Sequence, residues 1–230
     1  MNQTQSSGSD GENDIKLIEL SVVLVANSNN PSIINPDFLR YNKIVDDSYE
    51  VQDSPISTPA FSQVGFKNGI AVASTPDRVI FKQSGILDRE NVVSPEVAKR
   101  YLECVPHVPY RAIGINPKGF RSAAGEEPTP VSDMLRGNGL WTSFEDVTPE
   151  VQLKAIYRYS ERNISLDIAR ADVTENGKKT FGTLYQANIH RELTETDTES
   201  RVTRLSSVLE SWSSDLKDFY NMTSKYLGEG

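Results

Sequence analysis

Phe61-Ser-Gln-Val-Gly-Phe-Lys67, Asn68-Gly69, Ile70-Ala-Val-Ala73, Ser74-Thr-Pro-Asp77, Arg78-Val-Ile-Phe-Lys-Gln83: the fold class turns on this stretch. Two short runs meet across Asn-Gly, a pair favoured in type I′ turns because both central residues take positive φ. Ser74–Asp77 turns the chain again, so residues 61–83 read as three antiparallel strands in succession, a meander.

Upstream, Ile18, Leu20, Val22 and Leu24 alternate with Glu19, Ser21 and Val23, which is strand periodicity over Ile15–Ala26. The second half of that run is apolar on both faces, which predicts a central place in the sheet. Asn27–Leu39 follows, punctuated by two Asn-Pro pairs that disfavour helix and start turns. Its Ile33, Ile34, Phe38 and Leu39 are too apolar for a free loop. They are expected to pack onto the body, sealing a sheet edge, or else to present an apolar surface to a partner. Tyr41–Pro59 is polar and interrupted by prolines.

Downstream, Ser94-Pro95 reads as a helix start, with Ser as N-cap and Pro at the first helical position. Val97, Tyr101, Leu102 and Val105 form one buried stripe, and Pro106 stops the helix. Arg111–Asn116 reads as a short strand that Pro117-Lys-Gly119 turns away. Residues 122–139, with Gly125, Pro128, Pro130, Gly137 and Gly139, read as a connector, and Val131–Leu135 as a helical turn within it. Strands are expected at Gln152–Tyr159, Ile164–Ala171 and Thr180–Leu193. Val202, Leu205, Leu209, Trp212, Leu216, Phe219 and Tyr226 then trace one face of a long amphipathic helix.

The fold class is therefore α+β: two antiparallel-sheet-plus-helix halves, 15–121 and 140–230, with a long C-terminal amphipathic helix. Residues 1–14 are almost wholly polar and read as a disordered tail. Strand Ile18–Ala26, helix Pro95–Val105 running into Tyr110–Asn116, and a closing strand and helix carrying Leu209-Glu-Ser-Trp212 together resemble an uncharacterised, sporadically distributed group of bacterial two-half α+β proteins. Asn27–Leu39 departs from that group's pattern. The resemblance implies a fold and a bacterial or phage setting, and no chemistry.

Composition narrows the function classes. Leu, Ile, Val and Phe make up 58 of 230 residues, enough for a packed core. The longest apolar run, Val22–Ala26, is far short of a membrane span, so no membrane association is expected. A net charge of −8 without a dense basic run argues against nucleic-acid binding. A lone cysteine, Cys104, leaves no intrachain disulfide and, with no export signal at the start, suits a cytoplasmic setting.

Individual sites are weak. Cys104 and His107 form Cys-x-x-His without a second ligand pair for zinc. At a helix C-terminus the thiol is expected to have a raised pKa and to be inert. His190 reads as a half-exposed strand histidine, and Glu126-Glu127 as a chance carboxylate pair. Gly114-Ile-Asn-Pro-Lys-Gly119 lacks the ending of a P-loop, and Arg111, Lys118 and Arg121 offer a small anion site near that turn. With no cofactor expected, the leading function is a non-enzymatic interaction, assembly or regulatory component with a protein partner, and with self-association through the long helix or an open sheet edge. The alternative is a hydrolase or nucleotide-handling enzyme with a site of dispersed Asp, Glu, Arg and His190.

Overall fold

A computed structural model describes residues 15–122, 143, 145, 147, 149–175 and 178–226. The sequence-predicted tail 1–14 lies outside these residues, as do 123–139 of the connector, Val131–Leu135 and Glu126-Glu127. The described residues form one nine-stranded antiparallel sheet and four α-helices, a mixed α and β fold. None of these helices is long and apolar enough to cross a membrane.

The strands are β1 (Lys16–Ala26), β2 (Ile56–Ser57), β3 (Ser62–Gly65), β4 (Ile70–Thr75), β5 (Arg78–Leu87), β6 (Tyr110–Ser122), β7 (Leu153–Arg158), β8 (Asn163–Glu175) and β9 (Lys178–Glu192). Their spatial order is β2-β3-β4-β5-β1-β6-β9-β8-β7. The expected central strand is central: β1 has four strands on either side. Leaving out β2, the order is mirrored about the β1–β6 pair. Each side runs from a central strand to a three-strand meander, β3-β4-β5 or β7-β8-β9, whose last strand lies beside it. A single sheet thus spans what the sequence reads as two parts.

The helices are α1 (Pro36–Tyr41), α2 (Ser94–Cys104), α3 (Thr198–Glu210) and α4 (Trp212–Lys225). They cover one face of the sheet. On β1 that face is Leu20, Val22 and Leu24, all fully buried, while Val23 and Val25 on the other face are part-exposed. One core cluster packs Val97, Ala98, Tyr101 and Leu102 of α2, with Leu205, Val208 and Leu209 of α3, onto β1, β4, β5 and β6. A second packs Leu216 and Phe219 of α4 onto Ile164, Leu166, Ile168, Tyr185, Ala187 and Ile189. Trp212 touches both.

Four local expectations change. First, the 61–73 hairpin is not a type I′ turn, because Asn68 does not take positive φ and Gly69 does (+84°). Gly69 N–H donates to the Phe66 carbonyl at 3.1 Å and Phe66 N–H to that of Ile70 at 2.8 Å. This is a three-residue loop closed by a left-handed glycine. Second, Ser94 does not cap α2. Its hydroxyl donates to the Leu20 carbonyl (3.2 Å), and the buried Gln83 on β5 caps instead, accepting from Val93 N–H (2.7 Å) and Ser94 N–H (3.3 Å).

Third, Pro117 does not end its strand. β6 runs through it to Ser122, with Pro117 opposite Leu20 of β1. The ladder to β9 is recorded at Ile115–Ile189 and Lys118–Gln186, on either side of Asn116-Pro117; a proline has no N–H to lend it. Fourth, the expected long C-terminal helix is two helices broken at Ser211. The Ser211 hydroxyl donates back to the carbonyls of Ser207 (2.9 Å) and Val208 (3.2 Å), a local bond that bends helices. The break lets α3 serve the first core cluster and α4 the second.

Candidate functional surface

The face of the sheet opposite the helices carries ordered rows of polar side chains. Paired residues of antiparallel strands point to the same side, so the registers define the rows directly. One runs Glu19, Lys118, Gln186, Asp167, Lys154 across β1, β6, β9, β8 and β7. Its charges alternate and pair: Lys118 Nζ lies 3.2 Å from Glu19 Oε1, and Lys154 Nζ 2.9 Å from Asp167 Oδ1. A second pairs Ser21 with Asn116 and Asn188 with Ser165. A third runs Val23, Gly114, His190, Asn163, Arg158.

Gly114 sits between the amides of Asn116 and Asn188, with room for a β-carbon in ordinary contact with both. A Cβ there would lie 3.4 Å from Asn116 Oδ1 and 3.6 Å from Asn188 Oδ1. Asn116 Nδ2 reaches Ser21 Oγ only at 3.5 Å, and its Oδ1 is buried without a partner. His190 is half-buried beside this patch, its Nε2 2.8 Å from Glu192 Oε1 two residues along. Nine strands at about 4.8 Å spacing make the face about 40 Å across.

Of the sequence-predicted residues, Lys118 and His190 lie in these rows and the others fall elsewhere. Ile34 and Leu39 are fully buried, and Ile33 and Phe38 pack part-buried against the first core cluster. Asn30 and Asn35 supply the N-caps of a 3-10 turn at Pro31–Ile33 and of α1. Arg111, Lys118 and Arg121 are strung along the single strand β6 rather than gathered at a turn. At about 3.3 Å per residue, Arg111 and Lys118 stand roughly 23 Å apart. Lys118 and Arg121 point to opposite faces, and Lys118 is already paired with Glu19.

Cys104 is exposed, and its thiol lies 3.7 Å from the Asn42 carbonyl. Partial burial and then the neighbouring Glu103 push its pKa up. No group of three or more His, Cys, Asp or Glu able to hold a metal occurs among the described residues. The strongest charge cluster lies on the helix side. Asp215 of α4, 1% exposed, accepts from both Nη atoms of Arg191 (2.8 and 2.6 Å) and from Arg162 Nη1 (3.0 Å), and Arg162 also reaches Asp218 (2.6 Å). No motif announces it, since its members come from a strand, a turn and a helix. It pins the first turn of α4 to β9 and to the turn before β8. A recess of about 200 Å³ between α2, α3 and α4 is lined by Val92, Pro95, Glu96, Lys99, Leu209, Glu210 and Trp212. It is smaller than usual ligand pockets, and its Lys99 and Glu210 neutralise each other at 2.7 Å.

Scanned against protein-family models and searched against curated proteins, the chain matches none in either comparison.

Proposed function

We propose that this chain is a non-enzymatic interaction, assembly or regulatory component, and that the face of the sheet left free by the described helices (the helix-free face) receives its protein partner. The carrying observation is that face itself: broad, and set across five strands with polar residues in fixed register. A partner with complementary charges and amides would find its hydrogen-bonding groups already in place, which lowers the ordering cost of association. The three rows contain no Phe, Tyr or Trp, His190 being their one ring, whereas sheets that bind single-stranded nucleic acid stack bases on several aromatics within a basic surface. The resemblance noted above supports a bacterial or phage setting, and the lone cysteine a cytosolic one. The mirrored strand order suggests a division other than 15–121 and 140–230: β6, which lies within the first of those ranges, goes with β7–β9, and the two sets of strands meet at β1 and β6.

A photo-crosslinking residue at Asn188 or Ser165 tests this in the native host. It is expected to capture one defined protein, and Asn188→Arg on the same face to abolish capture by the Ser165 probe. Equal capture from a probe at Asp46, away from the sheet, would count against the reading. The His190–Glu192 contact favours a second reading, a hydrolase with His190 as general base. Turnover of a hydrolase or nucleotide panel that disappears in His190→Ala would establish it and displace the first.

A further inference from the structure

The two edges of the sheet are built differently. At one edge β2 is only two residues long, with Pro55 before it and Pro59 shortly after, a usual way of blunting an edge against strand addition. At the other, β7 offers six residues without proline or glycine, Leu153-Lys-Ala-Ile-Tyr-Arg158. Among the described residues, no strand pairs with its outer side.

Hydrogen-bond parity assigns the outward groups. Tyr159 N–H donates to the Arg162 carbonyl at 2.9 Å, so Tyr159 and Arg162 are a hydrogen-bonded pair closing the β7–β8 turn. Such pairs alternate along an antiparallel ladder. Tyr157, Ala155 and Leu153 therefore bond to β8, and Lys154, Ile156 and Arg158 turn their N–H and C=O groups outward. These three residues also carry their side chains on the helix-free face. Ile156 is 50% exposed. Lys154 shares its charge with Asp167, and among the described residues the Arg158 side chain has no ion-pair or hydrogen-bond partner.

We propose that β7 receives an extended acidic segment of a partner protein as a tenth strand. This rests on the reading of the chain as an interaction component and names the partner's chemistry. The segment alternates acid, apolar, acid at every second residue. Its carboxylates face Lys154 and Arg158, its apolar side chain covers Ile156, and its backbone pairs with the three outward N–H and C=O groups. The same cations act against a second copy of the chain. An antiparallel β7–β7 contact centred on Ile156 would set Lys154 opposite Arg158, and like charges directly opposite destabilise such pairs. The edge thus repels itself and selects an acid-bearing strand.

The test is an amide NMR titration of the full chain with two blocked peptides, Thr-Glu-Thr-Val-Thr-Glu-Thr and its Lys-for-Glu counterpart. With the acidic peptide, the amides of Lys154, Ile156 and Arg158 are expected to shift together and become protected from exchange. The basic peptide is expected to bind at least tenfold more weakly. In Arg158→Glu that preference should shrink or reverse. Ile156→Pro should abolish binding with the rest of the spectrum retained, because the N–H it removes points away from β8. The proposal is overturned if neither peptide shifts these amides, if both bind alike, or if the three amides are already protected in the free protein. It is equally overturned if they are protected by a dimer that dilution releases. Should the peptides fail while the Ser165 probe still captures its partner, the edge proposal alone falls; if both fail, the interaction reading falls with it.

Discussion

Three residues are expected to weigh more than their surroundings. Gly69 combines a φ of +84° with a β-carbon position that would meet the Ser84 carbonyl oxygen. Gly69→Ala is expected to cost at least about 1–2 kcal/mol from the left-handed backbone alone, measurable by urea denaturation. Asp215 lies almost wholly out of solvent between two guanidinium groups. Asp215→Asn is expected to cost about 3–5 kcal/mol, because it leaves Arg191 and Arg162 short of their counter-charge. The more exposed Asp218→Asn should cost under about 1 kcal/mol, and similar losses at both positions would contradict the central role of Asp215. At the β4–β5 turn, hydrogen bonds from Arg78 and then Thr75 hold the Asp77 carboxyl down at about 2. Folding thus favours its ionised form. Its stabilisation is in place above about pH 4 and fades as the pH falls towards 2. Wild type and Asp77→Asn should differ by less than about 1 kcal/mol near neutrality, and the difference should shrink on acidification.

At the scale of the element, Gln83 shows how a strand serves a helix. Its amide accepts from the N–H groups of Val93, just before α2, and Ser94, its first residue, and donates to the Asn91 carbonyl at 2.8 Å. Gln83→Leu is expected to cost about 1–3 kcal/mol by leaving buried groups unpaired, read as loss of helicity and of urea midpoint together. Much of the element order was legible because alternation in β1 and β8 and the stripe on α2 are properties of neighbouring residues. What was not legible depended on distant ones. Pro117 looks like a stop, yet β1 holds β6 extended through it. Ser94 looks like a cap, yet its hydroxyl is taken by Leu20. Ser211 looks like one more polar position on a helix, yet it marks where the chain passes from one core cluster to the other. The polar residues of the alternating strands were in plain sight as the outward positions. That they line up across five strands follows from register, which no single segment encodes.

At the scale of the molecule, the mirrored strand order and the two core clusters predict how the fold opens. In hydrogen exchange, β1 with β3–β5 and β6 with β7–β9 are expected to fall into two protection classes. A single global class would argue against this division of the strands, which differs from 15–121 and 140–230 by moving β6 to the second set. α3, packed with α2 in the first cluster, should exchange with the first class despite its place near the C-terminus of the described chain.

Whether the helix-free face is an occupied surface is read directly by thiol accessibility. In a Cys104→Ser background, a cysteine at position 188 should label rapidly in the purified chain and be shielded in the native host. A cysteine at position 46, away from the sheet, should label alike in both. Equal, rapid labelling of both positions in the host would contradict the account.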